Sequence, residues 1–294
     1  MAQKRLLVIG CGDVARRALP QWLVRYDLAA LVRAPDPALA ALGVRLFAGD
    51  LDQPATLAPL AGVADLIVHA APPPETGTLD VRTRNLLAAL VRSQKGGAML
   101  PQRLVYISTS GVYGDCGGDH VDESRPVNAR TDRAIRRVDA ETVLSHWCGD
   151  RGIALVILRA PGIYAADRLP LAQLQRGTPV LAAEDDVYTN HIHADDLAAI
   201  LTAGLSVGAG VYNASDDSEM KMGEYFDLVA DRMGLPRPPR VRRAEARGRI
   251  SPVLLSYMGE SRRLVNRRMK AELGTRLRYP TVYEGVPQAA ALRG

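Results

Sequence analysis

Aromatic residues are scarce in this chain, at 5% of 294 residues with only two Phe and two Trp. The core must therefore be largely aliphatic, and no aromatic platform for stacking single-stranded bases is visible. Cysteine is scarcer still. Cys11, Cys116 and Cys148 are odd in number and far apart. That spacing excludes a disulfide framework and supplies no CxxC or Cys/His metal site, so no metal is expected. A reducing, cytoplasmic setting is the expectation, and Cys11 reads as a small residue in a tight turn. No apolar run approaches the ~20 residues of a membrane helix, so no membrane partner is expected. The N-terminal "MAQKRLLVIG" runs from its apolar stretch directly into a Gly-rich turn, which reads as a first β-strand and not a signal peptide.

Charge is present but uneven. The formal net charge is +5, yet Pro236–Arg278 holds 13 Lys and Arg against 3 Asp and Glu, so the remainder is net negative. A local basic surface suits an anionic ligand, a nucleic acid or a solvated face. With no helix-turn-helix pattern and no stacking surface, nucleic acid is not the expected partner.

Short apolar runs alternate with amphipathic stretches. "RLLVIG", "LAALVR", "VRLFAGD", "ADLIVHAA", "RLVYISTS" and "IALVILRA" read as strands. Between them "DVARRALPQWLVR", "PATLAPLAG", "TLDVRTRNLLAALVRS" and the helix opened by "TDRAIRRVDAE" have helical spacing. Continuous four- to six-residue apolar runs covered by helices indicate a doubly wound parallel α/β sheet. Beyond Pro161 the pattern loosens. "HIHADDLAAILTAGL" reads as a strand entering a helix, and helices are expected around "MGEYFDLVADRMG" and "RRLVNRRMKAELG". Asp216 and Asp217, after "YNAS", are expected at the surface. The boundaries predicted are a dinucleotide-binding domain over residues 1–165 and 188–214, and a small substrate lobe over 166–187 and 215–294.

"VIGCGDVARRAL" supplies G-x-G-x-x-A as Gly10, Gly12 and Ala15, after a strand and opening a helix. The first glycine allows the turn, the second lets the backbone approach a pyrophosphate, and the third position must be small for helix and strand to pack. Gly10, Cys11, Gly12, Asp13 and Val14 then face the phosphates from the helix N-terminus. The second strand ends with Arg33 where a ribose-binding carboxylate would favour NAD. A guanidinium there pairs with a 2′-phosphate, with Arg16 assisting, so NADP(H) is the preferred expectation. Asp36, three residues on, keeps NAD(H) as the alternative.

Taken together these segments resemble the extended and atypical short-chain dehydrogenase/reductases, the NAD(P)-dependent epimerase/dehydratase superfamily. The likeness runs over nearly the whole chain and implies a Rossmann-like α/β fold with a small C-terminal substrate lobe. "AGDLDQ" resembles the acidic–hydrophobic pair that brackets the adenine, here Asp50 and Leu51. "VHAAPPP" resembles the loop after the fourth strand, here Ala70, Ala71 and Pro72. "YISTSGVYGD" resembles S-S-x-x-V-Y-G and implies a catalytic hydroxyl at Thr109. "VDESRP", "ILRAPGIYA", "NHIHADDLA" and "ELGTRLRYPTVYEGV" match the family's later segments in order.

In that family the helix after D-E-x-x-P carries Tyr-x-x-x-Lys. Counted back from Glu141, those positions hold Arg133 and Arg137. Arginine stays protonated at ordinary pH, so Arg133 is no general base, whereas Arg137 retains the lysine's charge. Three readings stay open. Tyr113 serves as a proton relay with Thr109 and Arg137; His193 or His191 supplies the acid–base group; or the chain binds a dinucleotide as a sensor without turnover. Arg133, Arg137 and Glu141, spaced i, i+4 and i+8, also suit a solvated salt-bridged stripe. The resemblance further implies a small-molecule substrate, nucleotide-linked in the family's epimerases, held by His193 and by a clamp drawn from Arg237, Arg240, Arg262 and Arg263. It implies a homodimer as well, and hydride transfer as the reaction.

Overall fold

A computed structural model describes residues 3–91 and 99–289. Among these, seven strands form one parallel sheet: β1 (Lys4–Ile9), β2 (Tyr26–Val32), β3 (Arg45–Ala48), β4 (Leu66–His69), β5 (Arg103–Thr109), β6 (Ala154–Ala160) and β7 (Gly210–Asn213). Their order is β3-β2-β1-β4-β5-β6-β7. The helices are α1 (Asp13–Arg25), α2 (Pro37–Ala41), α3 (Val81–Leu90), α4 (Asp132–Gly149), α5 (Leu171–Gln175), α6 (Ala194–Gly204), α7 (Met222–Met233), α8 (Pro252–Tyr257), α9 (Arg267–Glu272) and α10 (Val282–Gly285).

Strand alternation explains the layers. Leu6 and Val8 pack against Trp22 of α1 and Leu197 of α6, while Leu7 and Ile9 face Leu86 of α3 and Leu144 of α4. All four strand residues are fully buried. A side chain so placed contributes roughly 1.5–3 kcal/mol, which is why an aromatic-poor sequence still closes a large core. Trp22 donates from Nε1 to Thr202 Oγ1 at 3.0 Å and so fixes α1 against α6.

The chain reverses direction across the sheet at β1, which has β2 on one side and β4 on the other. In such sheets a crevice opens at the carboxyl ends of the strands at that point. Gly10 lines it with φ 87°, and a Cβ there would lie 2.4 Å from the Ala71 amide nitrogen. Both the left-handed backbone and the close approach of the two loops require glycine.

A second apolar core joins Tyr164, Leu174, Leu181, Phe226, Val241 and Met258, among others. Met269, Leu273 and Leu277 pack on the sheet's core instead.

Several local expectations need correction. "GVYN" was not expected as a strand, yet it is β7 at the sheet edge. "RRLVNRRMKAELG" is not one helix: Arg263–Leu264 pairs with His120–Val121, and only Arg267–Glu272 is helical. "PATLAPLAG" forms a 3-10 helix at Pro54–Leu60 with Pro59 inside it. The Pro/Arg-rich connector leads into α8, where Ser251 caps the helix and Pro252 opens it. The helix expected through "VRS" is described only to Leu90, with Arg92 and Ser93 outside the described residues. No helix among the described residues is long and apolar enough to cross a membrane.

Candidate functional site

Two clefts open at the carboxyl ends of the strands. The first, a cavity of about 690 Å³, is lined by Gly10, Cys11, Gly12, Arg33, Asp50, Leu51, Ala70, Ala71 and Pro72, together with Asp36 and Arg82. Nine of the residues named from the sequence for cofactor binding are therefore gathered on one surface. Asp13 and Val14 are not part of the lining. Val14 is packed in the core, and the Asp13 carboxylate is bonded to Arg17 and Arg168, both at 2.9 Å. What they offer the cleft is the α1 N-terminus, whose first amides have no intrahelical acceptor.

A Cβ added at Gly12 would meet no heavy atom within 4 Å, so this backbone faces open space and a phosphate can approach it closely. Burial holds the Cys11 thiol above its ordinary pKa, which opposes a thiolate role. The residues present thus fit a dinucleotide.

Asp36, on the lining beyond β2, is already committed. It caps α2 by accepting the Leu39 amide at 3.0 Å and pairs with Arg16, contacts that hold its carboxyl below the usual range. Arg33 is exposed on the same lip. Arg82, unremarked in the sequence, bridges Asp52 at 2.6 Å and donates to the Pro72 and Pro73 carbonyls at 3.2 Å. It therefore shapes the loop after β4.

The second cleft, about 540 Å³, begins at Thr109 at the end of β5, next to β4. It is lined by Thr109 and Arg133 from the sheet side. Tyr257, Glu260 and Arg262 face them, with His191, Tyr188 and Arg168 between. Thr109 Oγ1 accepts the Gly111 amide at 3.2 Å, which leaves its own proton free to donate into the cleft.

Tyr113 is withdrawn. It is buried, donates to Asn213 Oδ1 at 2.8 Å and lies under Arg159, and burial raises its pKa. It cannot relay protons to the cleft. Arg137 also lies off the lining, its Nη1 donating at 2.9 Å to both Tyr106 Oη and the Ile107 carbonyl.

The solvated stripe is not observed. Glu141 is buried and accepts from Arg159 at 2.7 Å and from Ser108 at 2.5 Å, while Arg133 reaches into the cleft. His193 caps α6 by accepting the Asp195 amide and packs on Tyr279 with ring centroids 3.9 Å apart, so its role is structural. His191, two residues earlier, does line the cleft, but burial drives its pKa down to about 3 and keeps it neutral.

Arg263 is likewise displaced from its expected place. It donates to the Gly118 carbonyl and stacks over Tyr188, whereas its neighbour Arg262 enters the cleft. Arg262 immediately precedes the Arg263–Leu264 strand, and consecutive residues of extended chain point to opposite sides, so only one of the two arginines reaches the cleft. Arg237 and Arg240 pair with Asp231 at 2.7 Å and Asp227 at 2.6 Å, outside the cleft. Part of the sequence-local positive charge is thus met by carboxylates from other segments, as Arg242 is by Glu184 and Asp185.

Asp216 corrects another expectation. It is 3% exposed, and burial pushes its pKa up to about 8, with Asp217 and Asp196 adding repulsion. The sign of the effect on stability follows. Between roughly pH 4 and 8 the unfolded carboxyl has lost its proton while the folded one retains it, so stability falls as pH rises through that window. Urea denaturation at pH 5, 7 and 9 should show this slope, and Asp216→Asn should flatten it. An unchanged slope in the variant would contradict the assignment.

A parallel sheet ordered 3-2-1-4-5-6-7, with a glycine turn at its switch point, defines a Rossmann-type dinucleotide fold. Residues 25–214 match the NAD dependent epimerase/dehydratase family, and the chain belongs to that family. Among solved structures, a functionally unknown conserved protein from Silicibacter pomeroyi is 28% identical, with a TM-score of 0.75 over 98% of this chain and 99% of that one. A Thermus thermophilus UDP-glucose 4-epimerase in complex with NAD is 21% identical, with a TM-score of 0.76 over 99% of each chain. A Thermotoga maritima UDP-glucose 4-epimerase with UDP-glucose is 13% identical, with a TM-score of 0.76 over 98% of each. No curated protein matches the sequence.

Proposed function

We propose that this protein is an atypical NAD(P)-dependent oxidoreductase or epimerase that transfers hydride to or from a small carbonyl or hydroxyl substrate, sugar-nucleotide-like in size. The observation that carries this reading is the open 540 Å³ cleft beginning at Thr109, beside the dinucleotide cleft and filled by neither Arg133 nor Arg137. The bound nicotinamide would supply or accept the hydride. Thr109 would donate a hydrogen bond to the substrate oxygen, where charge develops. Proton transfer falls to the second lobe: Tyr257 lines the cleft with its ring 3.9 Å below the Arg133 guanidinium.

The exposed Arg33 and the committed Asp36 support NADP(H) over NAD(H). Titration of the purified protein with NADPH and NADH, followed by fluorescence, tests this. Arg33→Asp should weaken NADPH by about 10- to 100-fold, the value of one to two charge-assisted hydrogen bonds, and leave NADH within a few-fold. Equal loss of both would remove Arg33 from the 2′-phosphate site. Binding of neither by the native protein would overturn the whole reading. A sensor without turnover is the second reading, favoured by one observation: Arg137, at the position of the family's lysine, lies off the cleft lining with Nη1 held by Tyr106 and Ile107. Cofactor binding with no oxidation of NADPH across a carbonyl panel would select it.

A further inference from the structure

Arg133 stands out among the arginines of the second cleft. Arg168 is paired with Asp13 at 2.9 Å and Arg262 with Glu260 at 3.0 Å. Arg133 has no carboxylate within 4 Å among the described residues, and the carboxylate of neighbouring Asp132 is exposed and makes no ion pair with it. It also sits in the first turn of α4, an 18-residue helix. The positive end of a helix dipole disfavours a cation and favours an anion, so an unpaired guanidinium there is electrostatically misplaced.

The side chain is nevertheless held in one position. Its guanidinium lies on the Tyr257 ring at 3.9 Å, and Nη1 donates to Ser256 Oγ at 2.9 Å. Ser256 Oγ in turn donates to the Val253 carbonyl at 2.7 Å. With one nitrogen and one face engaged, Nε and Nη2 make no hydrogen bond to a described residue, and together they form the edge that pairs with two oxygens of one anion. Of the other charges on the lining, Glu260 pairs through Oε2 with Arg262 at 3.0 Å and keeps Oε1 buried without a partner, Arg262 is tied through Nη1 to Glu260 and the Gly114 carbonyl, and His191 is neutral.

We propose that the substrate carries a carboxylate or phosphate group, and that Arg133, steadied by Tyr257 and Ser256, receives it bidentately. The inference rests on the substrate-cleft reading given above. The arginine at the tyrosine position is on this account a recognition group, replacing a proton carrier with an anion receptor.

Calorimetric titration of the NADPH-loaded protein with malonate and with inorganic phosphate tests it. Malonate measures the carboxylate arm, phosphate the phosphate arm, and neutral malonamide serves as the control. At least one anion should bind, malonamide should not, and Arg133→Gln should weaken that anion about tenfold or more, the value of losing a charged hydrogen-bond pair. Arg133→Lys should recover only part, because an ammonium cannot present two fixed donors. Arg237→Gln, which removes a paired charge outside the cleft, should change nothing. The proposal fails if neither anion binds, if malonamide binds equally, or if Arg133→Gln or Arg237→Gln behaves contrary to these expectations. NADPH binding is read in the same samples. Its retention with no anion binding sinks this inference alone, whereas its absence sinks the functional reading beneath it.

Discussion

Glu141→Ala should destabilise the protein by about 3–5 kcal/mol, the cost of leaving one member of a buried ion pair without its partner. Glu141 extends from α4 to the ends of β5 and β6, where it accepts from Arg159 Nη2 at 2.7 Å, Arg159 Nε at 3.2 Å and Ser108 at 2.5 Å. Both charged side chains are under a tenth exposed, so water cannot replace the lost carboxylate. Arg159 also lies 4.7 Å over the Tyr113 ring, and that contact cannot neutralise it. Urea denaturation at neutral pH measures the loss. Adding Arg159→Met to the alanine variant should restore part of it, because the stranded charge is then gone. A loss below about 1 kcal/mol in the single variant would show that this pair is not the internal tie between helix and sheet.

Thr109→Val should lower turnover by about 10²- to 10³-fold while NADPH binding stays unchanged, the typical effect of removing one donor aimed at developing charge. Valine matches the shape of threonine, so the change isolates the hydroxyl. That hydroxyl accepts the Gly111 amide and has its proton left to give, and serine at this position should retain activity within about tenfold. Steady-state NADPH oxidation, with the carbonyl substrate found by screening, is the measurement. Full activity in the valine variant would place the chemistry elsewhere in the cleft.

The cofactor cleft was legible because its determinants are local. Gly10, Gly12 and Ala15 lie within six residues, and Arg33, Asp50 and Ala71 each follow a strand recognisable by its apolar run. The second cleft was legible only in part: Thr109 and Arg262 were named from the resemblance, whereas Arg133, His191 and Tyr257 come from distant segments whose meeting no local pattern signals. Spacing cannot show that Arg133 rests on Tyr257, or that Arg262 and not Arg263 turns inward. β7 escaped notice for a different reason: four residues opened by a glycine carry too little periodicity to separate a strand from a turn. Asp216 looked solvated because aspartate in a turn usually is. Its neighbourhood includes Tyr164 and Tyr225, close enough for its charge to raise their pKa, and the chain supplies them from either side of it.

The interleaving of the two cores bears on how the polypeptide can be divided. After β6 the chain leaves for the small core at Tyr164, returns with α6 and β7, departs again at Met220, and comes back with Met269 and Leu273. A fragment ending near residue 165 would not be a sheet relieved of an appendage. It would lack α6, uncovering Leu6 and Val8, and it would lack β7, baring the hydrogen-bonding edge of an apolar strand. An unprotected edge of that kind pairs with its own copies, so the outcome of trimming is self-association and not a smaller folded unit.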